Sequence, residues 1–153
     1  PGGGGGVAYA VRGMPNLRVL NVGMNFLWCS AVLVARALRG TPFLEELSLY
    51  GNELGFEGAH SLATLGMPFL GRLRVLNIQM NEIGDAGVKA LCGAFPHTPL
   101  LSHLDISSNA VSHASTPELT ASLLQHTTLL KDLNIGYNTV GRAGSSALVG
   151  LFG

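Results

Sequence analysis

The chain has 153 residues, with nine Lys and Arg against nine Asp and Glu, so its formal charge is zero. Charged residues make up 12% of it and hydrophobic ones 47%, the former about half the usual globular share. There is no basic excess of the kind nucleic acid requires and no acidic tail, and a surface so poor in charge predicts either association with something else or membership of a larger body.

Residues 1–6, PGGGGG, have neither the basic start nor the apolar run of a signal peptide, and they do not spell a phosphate-binding loop. They are expected to form a flexible lead-in. The segment GVAYAVRGMPNL (6–17) aligns roughly with GVKALCGAFPHTPLL (87–101), as though a unit had lost its strand. Next comes LRVLNVGMN (17–25), which recurs as LEELSLYGN (44–52), LRVLNIQMN (73–81), LSHLDISSN (101–109) and LKDLNIGYN (130–138). The starts are 27, 29, 28 and 29 residues apart, so these are five repeats, 17–43, 44–72, 73–100, 101–129 and 130–153, in one domain spanning 7–153.

Each nonamer alternates with period two. Leu20 and Val22 point one way and Val19, Asn21 and Gly23 the other, which predicts a short strand with one buried face. After each Asn the period lengthens. Two residues on stand Leu27, Leu54, Ile83, Val111 and Val140, and ten on stand Ala35, Leu62, Leu91, Leu119 and Leu148. Thirteen on stand Leu38, Leu65, Ala94 and Leu151, with Leu123 one residue late in the fourth unit. Spacings of three and four predict a helix of two to three turns. Asp85 is placed to cap the helix of the third unit. Ser115-Thr116-Pro117-Glu118 is placed to do so in the fourth, with a capping box and a proline in the first turn. TPF, MPF, HTP and HTT segments stop the helices.

A strand and a helix cannot bury their apolar faces alone; stacked units can, which predicts a curved α/β solenoid with a parallel sheet inside and helices outside. The recurring Asn25, Asn52, Asn81, Asn109 and Asn138 are expected to satisfy backbone groups where each strand turns inward. The longest apolar stretch, FLWCSAVLVA (26–35), ends at Arg36 and falls short of the ~20 residues of a membrane helix. Cys29 and Cys92 form no CxxC and sit among apolar neighbours. Reduced, buried thiols are expected, which fits a cytoplasmic setting.

The LxxLxLxxN blocks, the 27–29-residue period and NEIGDAGVKAL (81–91) together resemble the leucine-rich repeat superfamily in its ribonuclease-inhibitor-like class. The resemblance runs from about residue 7 onward. It departs in FLWCSAV, where Trp28 stands in place of Gly or Ser, and in NAVSHASTPEL, which lacks the entry glycines. It implies a horseshoe with its sheet on the concave face. It also implies a binding module, not an enzyme, without cofactor, nucleic acid, membrane or small-molecule substrate. Two rivals come with the class: a GTPase-activating protein, and a structural spacer in a cytoskeletal or flagellar assembly. Because the last helix ends at Leu151–Phe152 without a polar cap, the chain reads as a slice of a longer array.

Side chains between the buried leucines project from a regular sheet and are preorganised for a protein partner. The candidates are Arg18, Asn21 and Met24; Glu46, Ser48 and Tyr50; Arg74, Asn77, Gln79 and Met80; His103, Asp105 and Ser107; and Asp132, Asn134 and Tyr137. The central column, Asn21, Ser48, Asn77, Asp105 and Asn134, is also explained by lateral hydrogen bonds between strands. Arg18, Glu45 and Arg74 alternate in sign, as simple ion pairing requires. Tyr50 and Tyr137, with Met24 and Met80, form the rim best suited to anchor a partner. His60, His97, His103, His113 and His126 have no metal-ligand spacing, and no nucleophile–base motif is present.

Overall fold

The computed structural model describes residues 3–151. Within them, β1 (Val19–Asn21), β2 (Glu46–Ser48), β3 (Val75–Asn77), β4 (His103–Asp105) and β5 (Asp132–Asn134) form one parallel sheet in chain order. Between and before them run α1 (Gly4–Arg12), α2 (Ala31–Ala37), α3 (Gly55–Ser61), α4 (Gly84–Cys92), α5 (Thr116–His126) and α6 (Gly141–Leu148). The register sets Leu20, Leu47, Leu76, Leu104 and Leu133 side by side across the sheet. Each helix packs on the next, and the interior between sheet and helices is one continuous apolar core.

The period-two reading holds. Leu44, Leu47 and Leu49 are buried, as are Leu73, Leu76 and Ile78, and Leu101, Leu104 and Ile106. Each such side chain contributes roughly 1.5–3 kcal/mol of transfer free energy. The helical positions Leu27, Leu54, Ile83 and Val111, and Ala35, Leu62, Leu91 and Leu119, are buried too. Leu65 departs from the pattern and is only half-buried. A π-helical turn at Leu62–Gly66 absorbs the additional residue of this 29-residue unit, and Met67 takes the interior place instead.

The Asn column forms a ladder that runs one way. The Asn52, Asn81 and Asn109 side-chain oxygens accept from the backbone N–H of Asn25, Asn52 and Asn81, at 2.9, 3.0 and 3.0 Å. Asn138 continues it, accepting from Asn109 N–H at 2.8 Å. Their amide nitrogens donate back to Val22, Leu49, Ile78 and Ile106 carbonyls of the preceding unit, at 2.9 to 3.0 Å. A second polar column went unrecognised in the sequence. Buried Thr41, Thr98 and Thr127 donate their hydroxyls to the carbonyls of Leu38, Phe95 and Leu123, closing the helical arm before the next strand. Among the described residues every buried side-chain nitrogen or oxygen has a partner.

Three local expectations are corrected. The glycine lead-in is not wholly outside the fold, for Gly4–Gly6 form the first turn of α1. Packing outweighs weak helix propensity there: Ala8 and Val11 are buried, and a Cβ on Gly4 would stand 2.1 Å from Ser30 Cβ. Residues 1 and 2 lie outside the described residues, as does Phe152 of the expected uncapped end. Asp85 does not cap its own helix, and Ser115 forms no capping box, since neither helix start carries a side-chain cap. Asp85 instead receives Ser112 N–H at 2.8 Å and the Ser112 and Ser115 hydroxyls at 2.6 Å each, tying the third unit to the loop of the fourth. Finally, Cys92 is buried but Cys29 is exposed, both as free thiols.

Candidate functional site

The concave surface is built on residues that their own backbone holds in place. Asn21, Asn77, Asp105 and Asn134 each accept the N–H two residues on, at 3.0, 2.9, 2.9 and 3.1 Å. The neighbouring N–H groups of Val22 and Met24 go to the next strand, and the residue between them turns away from it, so the column's side chain answers a local demand. The expected lateral bonding is found once, from Asn134 Nδ2 to Asp105 Oδ2 at 2.9 Å. Ser107 leaves the candidate surface. It is 1% exposed, because its hydroxyl folds onto Asp105 Oδ1 at 2.6 Å.

On the strands' entry side, Arg18 pairs with Glu45, while no ion pair to Arg74 is found among the described residues. His103 Nε2 meets Asp132 Oδ2 at 2.9 Å, and Ser102 Oγ lies 2.8 Å from His103 Nδ1. Ser, His and Asp in this order invite a hydrolytic reading, and the geometry opposes it. The Ser102 hydroxyl donates to the Arg74 carbonyl at 3.0 Å, which engages its proton away from the ring. Val75, Asn77, His103, Asp105, Asp132 and Asn134 wall an open trough of about 280 Å³. Arg18, Asn21, Glu46, Arg74, His103, Asp132 and Asn134 are exposed, and Ser48, Asn77, Gln79 and Asp105 half-buried. Among the described residues no three His, Cys, Asp or Glu side chains gather as metal ligands, and no helix is long and apolar enough to cross a membrane.

The four rim candidates separate. Tyr137 is 91% exposed, Met24 55% and Met80 51%. Tyr50 is only half-buried surface, its ring lying over Gly23. Met24, Met80 and Tyr137 occupy the eighth place of their nonamers with left-handed backbone, φ +57°, +54° and +54°, which swings them off the sheet onto the loop edge. There Met24 and Met80 meet residues that the sequence reading passed over. Phe26, Glu53 and Glu82 follow directly after the ladder Asn, again with φ of +51°, +52° and +55°. The signal was available as an aligned column just beyond the motif, but the motif's last recurring letter drew the boundary one residue too early.

Comparison with known proteins agrees with this architecture. A family model described as Leucine Rich repeat matches residues 73–92. The ribonuclease inhibitor of Sus scrofa is 32% identical over 91 residues, covering 60% of this chain and 20% of the relative. Protein CARMIL of Dictyostelium discoideum is 32% identical over 96 residues, covering 58% of this chain and 9% of the relative. The chain thus spans a small part of the length of the curated relatives it matches. Among solved structures, leiomodin-1 actin-binding site 2 superposes with a TM-score of 0.78 at 17% identity, over 95% of this chain and 85% of that one. The tropomodulin C-terminal domain of Caenorhabditis elegans gives 0.73 at 13%, over 97% and 90%. With its five in-register strands and asparagine ladder, the chain has the fold of a leucine-rich repeat solenoid and is similar to the ribonuclease-inhibitor-like class.

Proposed function

We propose that the chain is a non-enzymatic cytoplasmic scaffold that binds a partner protein through the concave sheet. One observation carries this reading: the side chains of Asn21, Asn77, Asp105 and Asn134 are already fixed by their own backbone. A partner meeting such a surface orders few rotamers on docking, which otherwise costs about 0.5–1.5 kcal/mol each. The trough beside them is open, suited to protruding side chains and too exposed to enclose a small molecule. The two free thiols fit a reducing compartment.

Actin is the first probe, because leiomodin-1's actin-binding site shares the fold over 95% of this chain. That choice favours the cytoskeletal alternative over the GTPase-activating one. The test is binding of labelled actin to the protein and to its Asn77→Arg and Asp105→Arg variants, repeated with any partner identified by affinity capture. Loss of at least about tenfold in affinity is expected from burying an unmatched charge, beside a stability cost of about 1 kcal/mol from the lost turn bonds to the N–H groups of Gln79 and Ser107. A partner whose affinity survives both substitutions refutes the concave reading, and faster GTP hydrolysis by a small GTPase on mixing would replace it with the regulatory one.

A further inference from the structure

The loop edge carries a groove of about 330 Å³, lined by Met24, Phe26, Gly51, Glu53, Met80 and Glu82, with Ser108 at its far end. Its walls are apolar: Met24, Phe26 and Met80 are each more than half exposed. Soluble surfaces rarely leave two thioethers and a phenyl ring together in water without use. Its edge is acidic. Glu53 and Glu82 are exposed, and neither has an ion-pair partner among the described residues. Among the described residues the ion pairs lie on the strands' entry side, Arg18 with Glu45 and His103 with Asp132.

Apolar walls beneath two unanswered carboxylates fit one kind of side chain well. The aliphatic stem of Arg or Lys lies along methionine and phenylalanine while its charged head reaches the carboxylates, and the ring adds a cation–π contribution. We propose that this groove receives a segment of a partner protein in which Arg or Lys stands beside an apolar residue. An anionic membrane is disfavoured by the carboxylates, and a second copy of this chain is distinguished by the test below. The groove lies beyond the concave sheet, so the two surfaces are read on different variants.

The probe is a fluorescein-labelled peptide with a central Leu-Arg-Leu-Arg stretch between Gly-Ser arms, followed by anisotropy. Leu-Glu-Leu-Glu and Ser-Arg-Ser-Arg peptides serve as controls. The Leu-Arg peptide binds, binds less tightly as salt is raised, and loses about tenfold in affinity against the Glu53→Gln/Glu82→Gln double variant. Met80→Ser weakens it as well, whereas both control peptides bind poorly to the unaltered protein. The proposal is overturned if the Leu-Arg peptide does not bind, if Leu-Glu binds equally, or if the double variant binds as the unaltered protein does. Self-association that the double variant abolishes, seen by sedimentation, also overturns it, by assigning the groove to a second copy. Loss of the concave reading leaves these measurements untouched, because that reading is scored on Asn77 and Asp105.

Discussion

The Tyr50 ring fills the space that Gly23 leaves empty: a Cβ on Gly23 would stand 2.0 Å from Tyr50 Cε1. One place along, the exchange reverses, since a Cβ on Gly51 would stand 2.3 Å from Met24 Sδ. Gly-Met in the first unit and Tyr-Gly in the second therefore interlock, large over small in both directions. Tyr50→Ala is expected to lower stability by about 1–2 kcal/mol, through loss of a half-buried ring. Tyr137→Ala changes it by no more than about 0.5 kcal/mol, since that ring is almost wholly in solvent. Gly23→Ala costs about 1–3 kcal/mol by displacing the ring, and the Gly23→Ala/Tyr50→Ala double variant costs less than the sum. Urea unfolding of the four variants checks each statement, and strict additivity would show that the ring does not rest on Gly23.

Asn81 is buried and serves two units at once. It accepts from Asn52 N–H at 3.0 Å and Leu54 N–H at 3.3 Å, and donates to Leu49 and Ile78 carbonyls at 2.9 Å each. Asn81→Ala strands several of these groups and is expected to cost about 3–4 kcal/mol. Asn25, exposed and bonded within its own unit through Val22 and Gly23 carbonyls, costs under about 1 kcal/mol when replaced. Hydrogen exchange distinguishes the ladder from a general loss of packing. In Asn81→Ala the amides of Asn52 and Leu54, in the preceding unit, lose protection first.

Asp85 links stability to pH. Burial raises its pKa, but hydrogen bonds from Ser112 and Ser115 and the nearby charge of His113 outweigh that and hold it below the usual carboxylate value of 3.8. A depressed folded-state pKa means the contribution is present above the unfolded value and is lost as pH falls through the folded one. Relative to Asp85→Asn, the protein is thus more stable near pH 6, and the difference shrinks below about pH 4. Denaturant midpoints of both proteins across that range measure it. A gap that stays constant down to strong acid would separate Asp85 from the effect.

The two thiols should react in sequence. Cys29 is exposed, while Cys92 is buried and its pKa is pushed up to about 11, chiefly by burial and then by the Glu118 charge. Only the thiolate attacks a disulfide reagent. One thiol is expected to react promptly in the native protein and the second only on unfolding, and peptide mapping should place the first label on Cys29. Prompt labelling of both would mean that the interval between α4 and α5 opens far more readily than its packing implies.

How much of this was legible beforehand depends on how far apart the partners lie. Leu44, Leu47 and Leu49 were readable because alternation is a property of neighbouring residues, and the Asn column because a buried turn recurs with every repeat. Asp85 was misread because its sequence position matches a helix cap, while its partners Ser112 and Ser115 are a full unit away. Ser107 shares a column with Tyr50 and Gln79, but its small hydroxyl can fold back on Asp105 where longer side chains cannot. Leu65 slipped because a π-helical turn, not a loop, took up the additional residue. The rim groove escaped because its shape comes from backbone twist at single residues, which hydropathy spacing does not record.

Among the described residues, eight other than glycine hold positive φ, including Met24, Phe26, Glu53, Met80, Glu82 and Tyr137. Each such torsion costs an L-residue roughly 1–2 kcal/mol that glycine would avoid. A version carrying glycine at these six places would be relieved of that strain, yet present a bald edge with nothing to grip. Ruggedness and reach are opposed along this border, and the natural chain has settled on reach.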